Sequence, residues 1–499
     1  MGAFPSPPRV PVTTPSPRCC AGNEDARKST EGLQSSDHTS LVTKRWVPLV
    51  LLLSSCSSEP QLAPVPTLTP MTDINPDPNI VEVMLVATAA THEYLGGRPT
   101  SVLAYRDGAL DAPAIVPGPL IDAKQGDRLI VHFRNELDRE TSVHWHGLRL
   151  PVDMDGVGAI PPGGTFDYDF VLRDAGWHWY HPHIGSDEQI ELGLQGTLLV
   201  RGAEEPAIAK ERLFVLDDVE LDDDGSVAIE PTREDFMHGR RGSTVLVNGK
   251  PPGALSASPG AVERWRIVNT SNGRFFDLEL GLPLRVIGWD GGLIPAPYDV
   301  EHLRVGPGER YDVVVALDGA SGSELRLETL EVARAHGAVD AGPLELVRVR
   351  LDDEPVTRDV IPASGPLLAA LPVTSQTIAR RFALSEQLDG PAGAVFFIND
   401  QRWPLNTPVE VRLGDLEVWE VVNETDGDHP VHIHGHFMQV LDRGGVPEPR
   451  VGWKDTIAIG PRETLRAALV YDEPGMWMFH CQIPEHAERG MMADIDVQP

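Results

Sequence analysis

The chemistry of this chain is concentrated in one segment, Phe479-His480-Cys481-Gln482-Ile483-Pro484-Glu485-His486-Ala487-Glu488-Arg489-Gly490-Met491. A cysteine is followed five residues later by a histidine, and that histidine five later by a methionine. Thiolate, imidazole and a weak axial thioether are three of the four ligands of a blue-copper centre. Upstream, His429-Pro430-Val431-His432-Ile433-His434-Gly435-His436 offers the second imidazole. Two more pairs, His144-Trp145-His146 and His181-Pro182-His183, lie in the first half of the chain. Side chains at i and i+2 of a strand share a face, so His-x-His aims two imidazoles into one cleft. By the same rule His480 and Gln482 face one way and Cys481 the other. The thiolate can then hold one metal while its neighbours face a second site. A single His-x-His is weak evidence. Four such strands together with Cys-x4-His-x4-Met point to copper, and to more than one atom of it.

The elements that must position these residues are written in a repeat. Gly126-Asp-Arg-Leu-Ile-Val-His-Phe-Arg-Asn135, Gly260-Ala-Val-Glu-Arg-Trp-Arg-Ile-Val-Asn269 and Gly414-Asp-Leu-Glu-Val-Trp-Glu-Val-Val-Asn423 each run from a turn glycine through β-formers to an asparagine. Nine and eleven residues beyond the asparagine stand His144 and His146 in the first copy, and His432 and His434 in the third. In the second copy these positions are Leu278 and Leu280, so the middle copy keeps the scaffold and fills the metal positions with core residues. A second match aligns Gly176-Trp-His-Trp-Tyr-His181-Pro-His183 with Gly475-Met-Trp-Met-Phe-His480-Cys-Gln482. The repeats predict domains over 80–203, 204–360 and 370–499, with a proline-bearing linker around 355–375. His178 and His436 fit no ligand position and are expected to pack beside ligands. Alternating Met476-Trp477-Met478 is expected to be core.

Length and composition agree with this. The chain of 499 residues has room for several domains, and its 47 glycines and 45 prolines suit many short strands joined by turns. A net charge of −32 argues against nucleic acid as a partner. Of four cysteines, Cys19 and Cys20 lie in a Pro/Ser/Thr-rich leader, Cys56 follows an apolar run and Cys481 is in the copper motif. That leaves no pair for a disulfide in the folded part.

The N-terminus carries an export pattern. Lys44-Arg45 precede the apolar run Trp46–Leu53 and then Ser54-Ser55-Cys56. This is a basic n-region and an h-region too short to span a bilayer. Leu53-Ser54-Ser55-Cys56 resembles the bacterial lipobox, whose cysteine becomes the lipidated first residue. The alternative is an ordinary signal with an incidental cysteine. Residues 1–40 do not look like part of a signal and read as an over-extended start or an unusual leader. Residues 1–56 are thus expected to be leader and lipoprotein-type signal, and 57–79, rich in Ser, Pro and Thr, a flexible tether. The expected location is the bacterial periplasm or cell envelope, on a membrane through a lipid at Cys56.

At these motifs the chain resembles the multicopper oxidases, in particular the bacterial three-domain, laccase-like class, over residues 80 to 499. The resemblance implies an all-β fold of three cupredoxin-like Greek-key β-sandwich domains, and a monomer is expected. It implies four copper ions. Type 1 copper would take His429, Cys481, His486 and axial Met491; type 2 would take His144 and His432. The type 3 pair would take His146, His181, His183, His434 and His480. It also implies one-electron oxidation of a phenol, an aromatic amine or a metal ion such as Cu(I), coupled to reduction of dioxygen to water. Two-domain copper nitrite reductases share ligands between subunits, whereas all cluster strands here lie in one chain.

Two departures from the family pattern stand out. His-Cys-His has become His480-Cys481-Gln482. An amide oxygen is a harder, weaker donor to copper than imidazole; either Gln482 binds weakly, or water fills the place, or the pair is loosely held. If the cluster is idle, the protein becomes a copper-holding or electron-relay protein instead. The second departure is Ala487, where several bacterial relatives carry an acid. Asp155, in Val152-Asp153-Met154-Asp155-Gly156, sits where relatives carry an acid beside the water channel. Dioxygen reduction consumes protons, so a carboxylate there has a catalytic use; the competing reading is a turn-forming Asp before Gly156.

Overall fold

The computed structural model describes residues 62–352, 356, 358–373, 377–390 and 393–499. The three matching stretches become the strands Arg128–Asn135, Val262–Asn269 and Leu416–Asn423. In the first, Leu129, Val131 and Phe133 are buried while Arg128 and Arg134 are exposed, the alternation expected of a strand with one face on a core. Each strand takes the same place in its sheet. It runs parallel to an earlier strand (Ile80–His92, Lys210–Val219 or Arg380–Gly390) and antiparallel to a later one (Thr165–Val171, Arg310–Ala316 or Thr464–Val470).

The terminal asparagines explain why the copies match. Asn135, Asn269 and Asn423 are buried, and each carboxamide closes the turn that follows. Their Oδ1 atoms accept from the backbone N–H of Leu137 (2.9 Å), Ser271 (3.0 Å) and Thr425 (2.9 Å), each two residues on. Their Nδ2 atoms donate to the carbonyls of Ile160 (2.9 Å), Val305 (3.0 Å) and Gly460 (2.8 Å). A side chain that mimics a backbone turn in this way fixes where the next strand starts.

That next strand belongs to a second sheet. In the first stretch it is His144–His146, in a sheet with Gly176–His181, Gly196–Arg201 and Gly118–Lys124. In the third it is His429–Ile433, between Thr456–Ile459 and Gly475–Cys481. In the middle it is Phe276–Glu279. The chain passes between two sheets in every stretch, as in a Greek-key sandwich. Among the described residues the α-helices are short: Ser186–Glu191, Arg233–His238 and Pro484–Glu488. None is long and apolar enough to cross a membrane. The fold is all-β with cupredoxin-like sandwiches.

One apolar cluster runs through the first and third stretches, from Phe133, Trp145 and Tyr168 to Trp419, Trp477 and Phe479. The middle stretch has its own, built on Trp265, Val313, Leu278 and Leu280. The two leucines at the histidine positions are buried, each contributing about 2 kcal/mol of apolar burial. The outer sandwiches thus share a core, and the histidine strands meet where they join.

One expectation needs correction. Residues 62–79 are not a free tether: Val65 N–H donates to Ala254 O (3.0 Å), Met71 N–H to Leu120 O (2.7 Å), and Asn248 Nδ2 to Pro66 O (2.7 Å). Backbone pairing is available to any composition, and here the prolines sit at isolated bridges, Pro64 with Ala254 and Pro70 with Leu120. The leader, the signal pattern and Cys56 lie outside the described residues. The Met476–Met478 expectation also holds only in part, because alternation buries Trp477 and leaves Met476 46% exposed.

Candidate metal centre

Equal registers build the site from its two halves. His144 pairs with His181 across one sheet, and His432 pairs with His480 across the other. Seven histidines from four strand ends converge. His144, His432 and His434 form one group whose ring nitrogens lie within 4.8 Å of one another, as do His144, His146 and His181, and His183, His434 and His480. All seven are buried or nearly so.

Six of the seven rings have one nitrogen tied outward. His181 Nδ1–H donates to Pro182 O (2.9 Å) and His480 Nδ1–H to Cys481 O (2.8 Å). His144 Nδ1–H donates to Asp155 O (3.0 Å) and His432 Nδ1–H to Asp455 O (3.1 Å). His434 Nδ1–H donates to Asp155 Oδ2 (2.7 Å), and His146 Nε2 lies 2.8 Å from Thr456 Oγ1. The other nitrogens face the interior. Nε2 of His144, His181 and His432 and Nδ1 of His146 are buried with no hydrogen-bond partner. His183 and His434 bring Nε2 within 3.3 and 2.9 Å of His480 Nε2. Buried polar atoms are nearly always paired, so a convergent set of unpaired imidazole nitrogens is what a metal site requires. Burial, with His144 as neighbour, pushes His183 down to about 3, so its ring is neutral and free to ligate.

Two carboxylates orient the rings. Asp155 follows the short 3-10 helix Val152–Met154 and precedes Gly156, whose φ is +80°. A Cβ on Gly156 would meet Val143 O at 1.7 Å; only glycine lets the turn approach the His144 strand. Asp155 does sit in a turn before Gly156, and from there its carbonyl serves His144 and its carboxylate serves His434. Burial alone would raise its pKa, but the charge interactions of His434 and His144, and then their hydrogen bonds, hold it well below the usual carboxylate range. Asp455 is its counterpart. Its carbonyl serves His432, and its Oδ1 lies 3.1 Å from His146 Nε2. Sequence reasoning missed Asp455, Thr456 and Arg310; the only signal was a charged pair, Lys454-Asp455, entering an apolar strand.

A second set lies behind. Cys481 Sγ is 3.6 Å from Nδ1 of both His429 and His486, and those two nitrogens are 3.2 Å apart. His486 stands in the last turn of Pro484–Glu488. Met491, fully buried, is tied to the set by Met491 N–H to His486 O (2.9 Å) and Cys481 N–H to Met491 O (3.0 Å). The outer nitrogens are fixed again: His429 Nε2 by Thr425 Oγ1 (2.8 Å) and His486 Nε2 by Met237 O (3.3 Å). Burial, reinforced by Arg334, pushes His429 down to about 3, and burial pushes the Cys481 thiol up. Neutral imidazoles beside a thiol that ionises only against positive charge suit a soft cation.

Gln482 lies beside the other histidines. A Cβ on Gly308 would meet both Gln482 Cγ (2.6 Å) and His146 Cε1 (3.2 Å), so the amide shares a wall with His146. Gln482 Oε1 is buried and unpaired, as a ligand oxygen would be. A small cavity of about 10 Å³, the room of a single water, is lined by His181, His183, His480, Gln482 and Ala487 among others.

Sequence profiles of the multicopper oxidases match residues 111–205, 225–323 and 374–499. A multicopper oxidase of Mycobacterium tuberculosis, MmcO, is 31% identical over 445 residues, covering 81% of this chain and 84% of that protein. The chain belongs to the multicopper oxidases. The Bacillus subtilis laccase is 26% identical, over 77% of this chain and 89% of its own. Among solved structures, a Campylobacter jejuni multicopper oxidase described as a metallo-oxidase superposes with a TM-score of 0.78 at 27% identity, over 88% of this chain and 96% of that one. A laccase-like enzyme from Ochrobactrum, described as active on lignin model compounds, gives 0.75 at 26% identity, over 87% and 100%. As a multicopper oxidase, this protein is a copper-binding oxidoreductase.

Within this frame, the remaining tempting residues have structural work. His436 donates Nδ1–H to His434 O (3.0 Å) and packs on Tyr471 and Trp477; neither it nor His178 joins a ligand group. Glu485, pushed up to about 7 by burial, accepts from Arg240 Nη1 (2.8 Å) and Asn272 Nδ2 (2.9 Å), tying the third sandwich to the middle one. Glu488 accepts from the backbone N–H and Oγ–H of Ser186, both at 3.0 Å.

Proposed function

We propose that the protein couples one-electron oxidation of a phenol, an aromatic amine or a metal ion to four-electron reduction of dioxygen to water. In this reading His429, Cys481, His486 and Met491 would hold type 1 copper, and His144 and His432 would hold type 2. The type 3 pair is held by His183, His434 and His480 on one side, and by His146, His181 and the amide oxygen of Gln482 on the other. Four bound copper ions would supply electron uptake at the cysteine set and dioxygen reduction at the histidine cluster. The observation that carries the reading is adjacency. Cys481 lies in one set, its neighbour His480 in the other, and the His480 Nδ1–H···O=C bond to Cys481 (2.8 Å) shortens the route between them.

The chain's own residues do the rest. Asp155 holds His144 and His434 and is the carboxylate placed to pass protons inward. Met237 O meets the His486 Nε2 edge (3.3 Å) and Phe396 stacks on the ring at 4.0 Å, so electrons from a donor would reach His486 through this protein cover. Leu53-Ser54-Ser55-Cys56 supports export and lipid anchoring at Cys56, in the bacterial periplasm or cell envelope, with the enzyme acting as a monomer. Copper content and visible absorption of the loaded protein test the assignment: four copper ions per chain with an intense blue thiolate band are expected, and a chain that binds only the cysteine-set copper would sink it. Loss of fatty-acid labelling in Cys56→Ala would test the anchor.

A further inference from the structure

Among the described residues the middle sandwich supplies no member of the candidate metal groups, yet its 308–310 segment reaches the histidine cluster. Arg310, at the start of the strand Arg310–Ala316, is 1% exposed and uses all five of its guanidinium N–H donors. Nε donates to Trp177 O (2.9 Å) of the first sandwich. Nη1 donates to Gly308 O (3.1 Å) and to Asp455 Oδ1 (2.6 Å). Nη2 donates to Asp290 O (3.2 Å) and Asp455 Oδ2 (2.5 Å). One side chain therefore joins all three sandwiches and grips Asp455 with both arms. Beyond Asp455 come the ligands: Oδ1 lies 3.1 Å from His146 Nε2 and 3.4 Å from His432 Nδ1. It also accepts from Thr456 Oγ1 (2.8 Å), the hydroxyl that meets His146.

We propose that Arg310 is a positioning residue for the histidine cluster. By fixing the plane of the Asp455 carboxylate it sets the ring orientation and tautomer of His146, and it steadies the residue whose backbone carbonyl holds His432. The inference rests on the copper assignment above. Stability alone explains the arrangement poorly, because a buried ion pair contributes little net stability over an apolar filling, whereas a bidentate guanidinium fixes a carboxylate's direction. Space has also been kept for it. A Cβ on Gly147, directly after His146, would meet Arg310 Nη2 at 2.2 Å and Asp455 Oδ2 at 2.9 Å. The equivalent glycine in the other half, Gly435, is packed instead against the Trp477 ring, at 2.3 Å from such a Cβ. Asp290 and Lys454 fix the Arg310 backbone: its backbone N–H donates to Asp290 Oδ1 (2.8 Å), and Lys454 Nζ lies 3.0 Å from Asp290 Oδ2. The same loop presses Gly308 onto Gln482, so the wall of the position with the substituted ligand comes from the middle sandwich.

The test compares copper-loaded wild type, Arg310→Met and Arg310→Lys by electron paramagnetic resonance and copper titration. In Arg310→Met the blue band of the cysteine set should persist, since Arg310 bonds to none of its residues. The type 2 signal should change its hyperfine splitting, and cluster copper should bind about 10–100-fold more weakly, the usual cost of losing a partner that orients a ligand. Arg310→Lys should recover only part, because ammonium cannot bind both oxygens. If Arg310→Met fails to fold, Asp455→Asn, which keeps the shape and removes the charge, should show the same type 2 change. An unchanged type 2 signal and unchanged affinity in either folded variant would overturn the proposal alone. A wild type that loads no cluster copper would overturn it together with the assignment beneath it.

Discussion

Two side-chain trios at the histidine cluster are copies of one another, and only one is all histidine. The internal repeat relates His183, His434 and His480 to Gln482, His146 and His181. The first trio is three imidazoles whose nitrogens lie within 4.8 Å. The second keeps two imidazoles and puts an amide where the third would be. Their surroundings differ as well. The complete trio borders Asp155, which takes its hydrogen bonds from histidines and has no cation beside it among its recorded partners. The incomplete trio borders Asp455, which Arg310 grips from the middle sandwich. Symmetry of backbone therefore does not impose symmetry of chemistry. The amide stands on the side whose carboxylate is gripped by a bidentate guanidinium.

Changes at the two trios should separate their roles. The largest effect is expected from Cys481→Ser, which removes the thiolate proposed to feed both; the blue band and donor-driven oxygen uptake should vanish, as read by absorption and an oxygen electrode. Next, His480→Gln makes the complete trio as poor as the other, and oxygen uptake should fall at least about 100-fold with the blue band intact. Asp155→Asn keeps shape but removes the carboxylate proposed to deliver protons. Its turnover should drop about 100-fold while reduction of the blue band by donor stays fast in stopped flow. Gln482→His equalises the trios and should raise copper occupancy or turnover by up to about tenfold, whereas Gln482→Ala should lower them, both read by copper analysis and steady-state rate.

The smallest expected effect concerns stability, at a histidine outside both trios. Burial pushes His178 down to about 3. The unfolded chain, with His178 near its ordinary pKa, binds the extra proton between about 6.5 and 3. The folded state therefore loses stability as pH falls through that window and keeps it above. His178→Phe should flatten the acid limb of the copper-free protein's denaturation curve; an unchanged limb would count against the reading.

How much of this could be read from residues alone differs by element. His-x-His spacing, the alternation of Cys481 with its neighbours and the Gly-to-Asn repeat are local patterns, and the strands, their registers and the leucine-filled middle copy follow from them. Gln482 was legible as a substitution because the repeat and the motif supply its context. Arg310 and Asp455 were not, since they meet across 145 positions and a buried ion pair has no periodicity. The run 62–79 misled for a different reason: its composition lacks a core-forming pattern, yet its backbone pairs with the edges of two sandwiches.

The central claim is that a cluster with Gln482 in place of an imidazole still reduces dioxygen to water. The direct measurement is donor-dependent oxygen uptake by the copper-loaded protein, residues 57–499, with peroxide assayed in parallel. Consumption of one dioxygen for every four one-electron donor equivalents, with no peroxide released, is the predicted result. A blue protein that accepts electrons from the donor but consumes no oxygen, or releases peroxide in proportion, would contradict the claim and leave an electron-relay or copper-holding protein in its place.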